Sequence, residues 1–366
     1  MAPTAHGSIP SMPALRNMLY ALAVPILLAA GCYGDRHCRS SDLPLLPHPQ
    51  EVMPLDGRYI PPDTVKVRVS GMDEESDPVL FGQLEEITEI LHTRGIPCVM
   101  PDDPDIWIGL PGSDASFRAV CGREGILPDE SLGEEGYVLK INGDRILLSG
   151  NSRQGVFYGV QTLRQLSRAF PGKSGLPALR INDWPEIPVR AVMDDISRGP
   201  VPTKQYIKEQ IRRYAELKIN SMSFYIEHVV RTEKYPGFAP RDGALTIEEF
   251  RELSDYAADY HISLIGNFQS LGHAEKVLAV PGFRHLGATD RMYDPFNPET
   301  VKFLRDIYRE MAPAFSSGWF TPNCDEACDL SRAGLSGKAP RLLAGVAFES
   351  PILRNTFFPI HDESSM

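Results

Sequence analysis

Hydrophobic and polar positions follow two different rhythms along the chain. In the first, Thr64–Ser70 (TVKVRVS) alternates as a half-buried strand does. Leu84, Ile87 and Leu91 fall on one face of a helix predicted over residues 77–91, and Gly95 follows its end. Residues 105–110 (DIWIGL) predict a second strand. Tyr137–Ile141 and residues 145–149 predict two more, flanking Asn142-Gly143-Asp144. Asn-Gly is a hairpin signal, because a tight mirror-image turn needs positive φ at both central residues. Behind Asn151, the apolar residues Val156, Val160, Leu163 and Leu166 share one helix face. These elements predict a small α/β domain with its linker over residues 43–188, the linker itself being 180–188.

From residue 189 the rhythm becomes strand–helix alternation. Strands are predicted at 189–193, 219–226, 261–268 and 319–323. Thr203 opens a helix carrying Ile207, Ile211, Tyr214 and Leu217. Thr246, with Glu249 three residues on, reads as a capping box. Asn297-Pro298 opens a helix carrying Val301, Leu304, Ile307 and Met311. Pro322 would disrupt a central strand, since it has no N–H to give to a ladder. Repeated βα units predict a parallel sheet, either open or closed as a (β/α)8 barrel. No Gly-rich phosphate loop follows any of these strands, which disfavours a nucleotide-binding open sheet. After Leu330 the alternation stops, and residues 331–366 show no clear amphipathic helix.

The N-terminus reads as an address. An apolar run over residues 18–30 follows Arg16 and is too short to span a bilayer. It ends in Ala29-Ala30-Gly31-Cys32, which resembles a bacterial lipoprotein cleavage box. The expectation is a signal peptide over 1–31, lipidation of Cys32 and a tether over 32–42. The protein would then be exported and anchored by lipid to the outer or plasma membrane, facing the periplasm or cell surface. The chain has 6 cysteines, too few for a disulfide scaffold. Cys324 and Cys328 flank a carboxylate pair, a weak zinc signal without a second pair or a nearby histidine. No metal and no cofactor is expected.

Composition narrows the class. With 42% hydrophobic and 23% charged residues, the 366-residue chain is globular and not disordered. A net charge of −11 argues against a nucleic-acid partner. The polar residues cluster where the second set of strands ends, the face on which barrel chemistry sits. The first strand runs into Asp194, Asp195 and Arg198, and the second into Glu227-His228. The third ends at Asn267 and Gln269, with Gly272-His273 beyond, and the fourth at Asp325-Glu326. Carboxylates with an arginine and a histidine suit sugar recognition and acid/base hydrolysis.

These motifs resemble family 20 glycoside hydrolases, the β-N-acetylhexosaminidases. The likeness lies in Asp195-x-x-Arg198, Gly272-His273-Ala274, the Asn-Pro-Glu-Thr of residues 297–300 and Asp325-Glu326. In the preceding domain it lies in the hairpin opening Gly136-Tyr137 and in Gly155-Val156-Phe157-Tyr158-Gly159. The resemblance implies a small N-terminal α/β domain, then a (β/α)8 TIM-barrel-type domain whose first four βα units occupy residues 189–330. It implies substrate-assisted retention, with Glu326 as general acid and Asp325 holding the substrate's acetamido group. Arg198, with Asp195 beside it, would grip sugar hydroxyls. His273 would support by hydrogen bonding, and Glu227 and His228 are weaker candidates. The partners implied are glycans ending in N-acetylglucosamine or N-acetylgalactosamine, with oligomeric state left open.

Two departures stand out. Thr321 occupies the position where the family usually has a histidine shortly before the acidic pair, which weakens a polar relay along that strand. The family also continues through four more βα units, with tryptophans and a tyrosine lining the sugar pocket. Here the last tryptophan is Trp319 and the last tyrosine Tyr308. The stretch after residue 188 is shorter than the roughly 250 residues of such a barrel. The expectation is a truncated reading with an aberrant tail at 331–366, impaired as a hydrolase. The alternative is a non-catalytic surface glycan-binding protein or an inactive fragment.

Overall fold

A computed structural model describes residues 43–97, 103–327 and 329. The expected signal, Cys32, the tether, the tail, Cys98 and Cys328 lie outside the described residues. Among the described residues, no helix is long and apolar enough to cross a membrane.

The first rhythm builds a seven-stranded mixed sheet. Its strands are β1 (Glu51–Tyr59), β2 (Thr64–Ser70), β3 (Arg94–Pro97), β4 (Ile106–Gly109), β5 (Tyr137–Ile141), β6 (Ile146–Gly150) and β7 (Leu176–Asp183), in the spatial order β1-β7-β5-β6-β4-β2-β3. Helices α1 (Pro78–Ile90) and α3 (Arg153–Ala169) cover one face with the main apolar core. Helix α2 (Ala115–Glu124) closes a smaller cluster of Trp107, Phe117, Val120, Cys121, Val138 and Leu147. Helix α3 is buried along most of its length. It can press onto the sheet because Gly155 has no side chain: a Cβ there would lie 2.5 Å from the Gly136 carbonyl oxygen.

The hairpin between β5 and β6 forms, but by another device. Neither Asn142 nor Gly143 has a positive φ. Instead, Asn142 Oδ1 accepts from the N–H groups of Asp144 (2.9 Å) and Arg145 (2.8 Å), so a side chain sets the turn. The residues read as a linker, 180–188, begin inside β7. Strands β1, β3 and β7 and helix α2 are elements that the sequence pattern did not predict. β1 contains Pro54 and a register shift before Arg58, both tolerated because among the described residues it pairs only with β7.

The second rhythm builds four parallel strands, β8 (Ala191–Asp195), β9 (Ser221–Tyr225), β12 (Ser263–Gln269) and β13 (Phe320–Asn323), each hydrogen-bonded to the next in chain order. Between β9 and β12 lies a two-residue ladder of β10 (Val230–Arg231) and β11 (Leu245–Thr246). The connecting helices are α4 (Lys204–Glu216), α5 (Ile247–Ala258), a short α6 (Glu275–Leu278) and α7 (Pro298–Met311). Thr246 and Glu249 form both halves of the capping box, and Asn297 caps α7. β8 begins two residues later than its pattern suggests, so Asp194 and Asp195 lie within the strand. Pro322 is accommodated because β13 pairs only with β12 among the described residues. The described strands form an open sheet without closure into a barrel.

A buried polar knot joins the two sheets. Lys218 is 5% exposed, and its Nζ donates to Asp183 Oδ2 (2.7 Å) and Tyr137 Oη (2.9 Å). Burial lowers the Lys218 pKa, opposed by the charge of Asp183. Such a pair holds only while both partners stay, because removing one leaves an uncompensated buried charge. Nearby, the His261 ring packs 4.8 Å from that of Phe157 on α3.

Burial pushes the His261 pKa down to about 4. The folded state therefore keeps this imidazole neutral while the unfolded chain takes up a proton below its ordinary value of about 6.5. Stability is full above that value and is lost as pH falls towards 4, by up to ~3 kcal/mol. Asparagine tolerates the positive φ of 55° at this site. Urea titrations between pH 7 and 4 are expected to show this slope in the wild type and a flatter one in His261→Asn. Equal slopes would remove His261 as the cause.

Candidate active site

The parallel register groups the four strand ends in two pairs, and because Ile265 pairs with Ser223, β12 runs two residues further than β9. Asp195 on β8 stands opposite Tyr225 on β9, and Gln269 on β12 opposite Asn323 on β13. Asp195 organises the first loop as an Asx turn: its Oδ1 accepts from the N–H groups of Ser197 (2.9 Å) and Arg198 (3.2 Å). Its Oδ2 accepts from Arg198 Nε, and this bond raises the Arg198 pKa further. The guanidinium lies over the Tyr225 ring, with Cζ 4.7 Å from the centroid.

The second strand supplies a buried acid. Glu227 is 4% exposed, and its N–H donates to Ser197 Oγ at 2.8 Å. Burial raises its carboxyl pKa, while His273 pulls the other way. Glu227 Oε1 lies 3.9 Å from His273 Nδ1. On its other side, His273 Nε2 lies 3.2 Å from Glu326 Oε2 and 3.9 Å from Asp325 Oδ2. The 3.2 Å approach is a close contact without hydrogen-bond alignment, since Nε2 has no hydrogen-bond partner. His273 therefore stands between one buried carboxylate and two exposed ones. Thr321, expected to weaken a polar relay along β13, stands on the strand itself, while His273 and Glu227 approach the pair from the loops after β12 and β9.

Adjacent residues in a strand point to opposite faces. Asp325 and Glu326 escape this because β13 ends at Asn323 and the chain turns, with Glu326 at φ 42°. Asn323 Oδ1 caps the turn by accepting from the Asp325 N–H at 3.2 Å. The loop after β12 lies against this turn. A Cβ on Gly272 would fall inside contact distance of the Asp325 carbonyl oxygen and 3.1 Å from that of Glu326. The next residue, His273, has φ 52°. The close approach of the two backbones places the imidazole against the carboxylates.

Two further residues join the cluster. Tyr225 Oη donates to Asp325 Oδ2 at 3.3 Å and accepts from Gln269 Nε2. Gln269 was visible as a strand-end polar residue, whereas Tyr225 was hidden as one more apolar strand position. His228 stays outside: it is half-buried, its Nδ1 has no partner, and burial lowers its pKa beside Lys276 and Glu275. Glu227 Oε1, Gln269 Oε1 and both amide atoms of Asn267 are buried without partners. Such groups call for water or a polar ligand. Among the described residues, no group of His, Cys, Asp and Glu is arranged to hold a metal ion. Cys324 is exposed, and its thiol lies 3.4 Å from the Pro322 carbonyl oxygen.

Replacing Gly272 by alanine is expected to push the turn and His273 apart. Loss of about 1–3 kcal/mol in urea unfolding would be the cost of overpacking. A Gly272→Ala variant as stable as the wild type would show that the approach is not tight.

Residues 42–184 match the family model for glycosyl hydrolase family 20, domain 2. A β-hexosaminidase of Porphyromonas gingivalis is 27% identical over 252 residues, 59% of this chain and 32% of that protein. One of Vibrio furnissii is 23% identical over 354 residues, 84% of this chain and 53% of that protein. Among solved structures, a chitobiase of Flavobacterium johnsoniae superposes with a TM-score of 0.69 at 21% identity, covering 87% of this chain and 52% of its own. A mutant β-hexosaminidase of Streptomyces plicatus, in complex with the product GlcNAc, gives 0.67 at 19% identity, covering 88% and 65%. The chain thus spans between a third and about half of the length of these curated relatives. Over residues 42–184 the chain thus resembles glycosyl hydrolase family 20, domain 2, and over part of its length it is similar to β-hexosaminidases.

Proposed function

We propose that the strand-end cluster is a β-N-acetylhexosaminidase site that removes terminal N-acetylglucosamine or N-acetylgalactosamine by substrate-assisted retaining hydrolysis. On this reading the four parallel strands are the first βα units of a (β/α)8 barrel. The observation that carries it is the placement of His273 between Glu227 and the Asp325–Glu326 pair.

The chemistry follows from position. Glu326, exposed to solvent, donates its proton to the glycosidic oxygen as that bond breaks. The substrate's own acetamido oxygen attacks the anomeric carbon, giving a cyclic oxazolinium ion. Asp325 accepts the acetamido N–H and offsets the positive charge there. Glu326 then takes a proton from the water that opens the ring. His273 passes the influence of Glu227 to Glu326 and restrains its rotation. Arg198 presents its outer nitrogens to the sugar's hydroxyls, with Asp195 holding its inner edge.

The test is the rate on an aryl N-acetyl-β-glucosaminide. Glu326→Gln is expected to lower whatever rate the wild type shows by about 100-fold or more, with an unchanged circular dichroism spectrum. Equal rates for the two proteins would reject Glu326 as the acid. No wild-type turnover, together with heat on titrating N-acetylglucosamine, would mark a glycan-binding protein instead.

A further inference from the structure

One side chain touches three of the residues given roles above and has none itself. Tyr225 closes β9 and is 5% exposed. Its hydroxyl meets the Asp325 carboxylate, its face carries the Arg198 guanidinium, and its ring meets that of His273 edge-on at 6.2 Å and 77°. Gln269 Nε2 donates to the same hydroxyl, which directs the phenol's own proton towards Asp325.

We propose that Tyr225 is a positioning residue for sugar recognition. Its hydroxyl fixes the carboxylate that faces the acetamido group, and its ring fixes the guanidinium that faces the sugar's hydroxyls. One rigid side chain thereby sets the spacing between the two ends of the site. The inference rests on the roles proposed for Asp325 and Arg198. Both need a brace, since their side chains are 45% and 53% exposed. Asp195 takes the Nε edge of Arg198 and Tyr225 its face, so its terminal nitrogens make no hydrogen bond to the described residues and remain for a ligand. Burial, with the nearby Asp325 and Glu227 charges, pushes the Tyr225 pKa up to about 12, although the Gln269 bond opposes it. The phenol is therefore a donor throughout the neutral range. Phenylalanine could supply only the platform, and leucine neither the platform nor the bond to Asp325.

Tyr225→Phe and Tyr225→Leu separate the two duties. With the aryl N-acetyl-β-glucosaminide, Tyr225→Phe is expected to lower kcat about tenfold and leave KM within about threefold. Tyr225→Leu is expected to raise KM by about tenfold as well, through loss of the cation–π platform. A merely structural tyrosine would show no such division between kcat and KM. The ring-current shift of the Arg198 guanidinium resonances in solution NMR reads the platform without any turnover. It is expected to persist in Tyr225→Phe and vanish in Tyr225→Leu. A wild-type kcat in Tyr225→Phe, or the same Arg198 shift in both variants, would overturn the proposal. If the wild type turns over nothing, the hydrolase reading fails while the Arg198 comparison still decides the role of Tyr225.

Discussion

The site depends on how closely two backbones can approach. The loop after β12 meets the turn after β13 at Gly272, where any side chain would strike the Asp325 carbonyl. That approach sets His273 against Asp325 and Glu326. Positive φ at His273 and Glu326 belongs to the same constraint, because both chains must bend away from strand geometry to meet. Parallel register then supplies the rest, levelling Asp195 with Tyr225 and Gln269 with Asn323.

Charge is distributed so that each carboxylate has a different environment. Asp195 is neutralised by Arg198. Glu227 is buried, and burial raises its pKa. Asp325 and Glu326 face outward on either side of the His273 Nε2 contact. Environments that separate like groups in this way allow them different tasks in one reaction. The residues that approach the pair, His273 and behind it Glu227, come from the loops after β12 and β9 and not from β13.

Legibility in the sequence followed the range of the forces involved. Helices α3, α5 and α7 were readable because their apolar faces and caps are local, as Thr246 with Glu249 shows. The strand-end acids and Gly272-His273 were readable because motif spacing is local too. Strands β1 and β7 were not, because β1 is interrupted by Pro54 and Gly57 and the alternation Leu179-Arg180-Ile181-Asn182 of β7 runs into the stretch read as a linker. The Asn142-Gly143 turn misled, since a side-chain bond achieved what a mirror-image backbone would have. Tyr225 looked like one more apolar strand residue until its neighbours arrived from three other strands. His228 shared the sequence neighbourhood of Glu227, but the chain carries it towards Lys276 and Glu275 instead.

The central claim is that these strand ends form one sugar site selective for a 2-acetamido group. Chemical-shift mapping with N-acetylglucosamine, using glucose as the control, addresses it most directly. Perturbations are expected to gather at Arg198, Tyr225, His273, Asp325 and Glu326 with N-acetylglucosamine, and to be much smaller with glucose. Shifts lying elsewhere, or an equal response to both sugars, would contradict it.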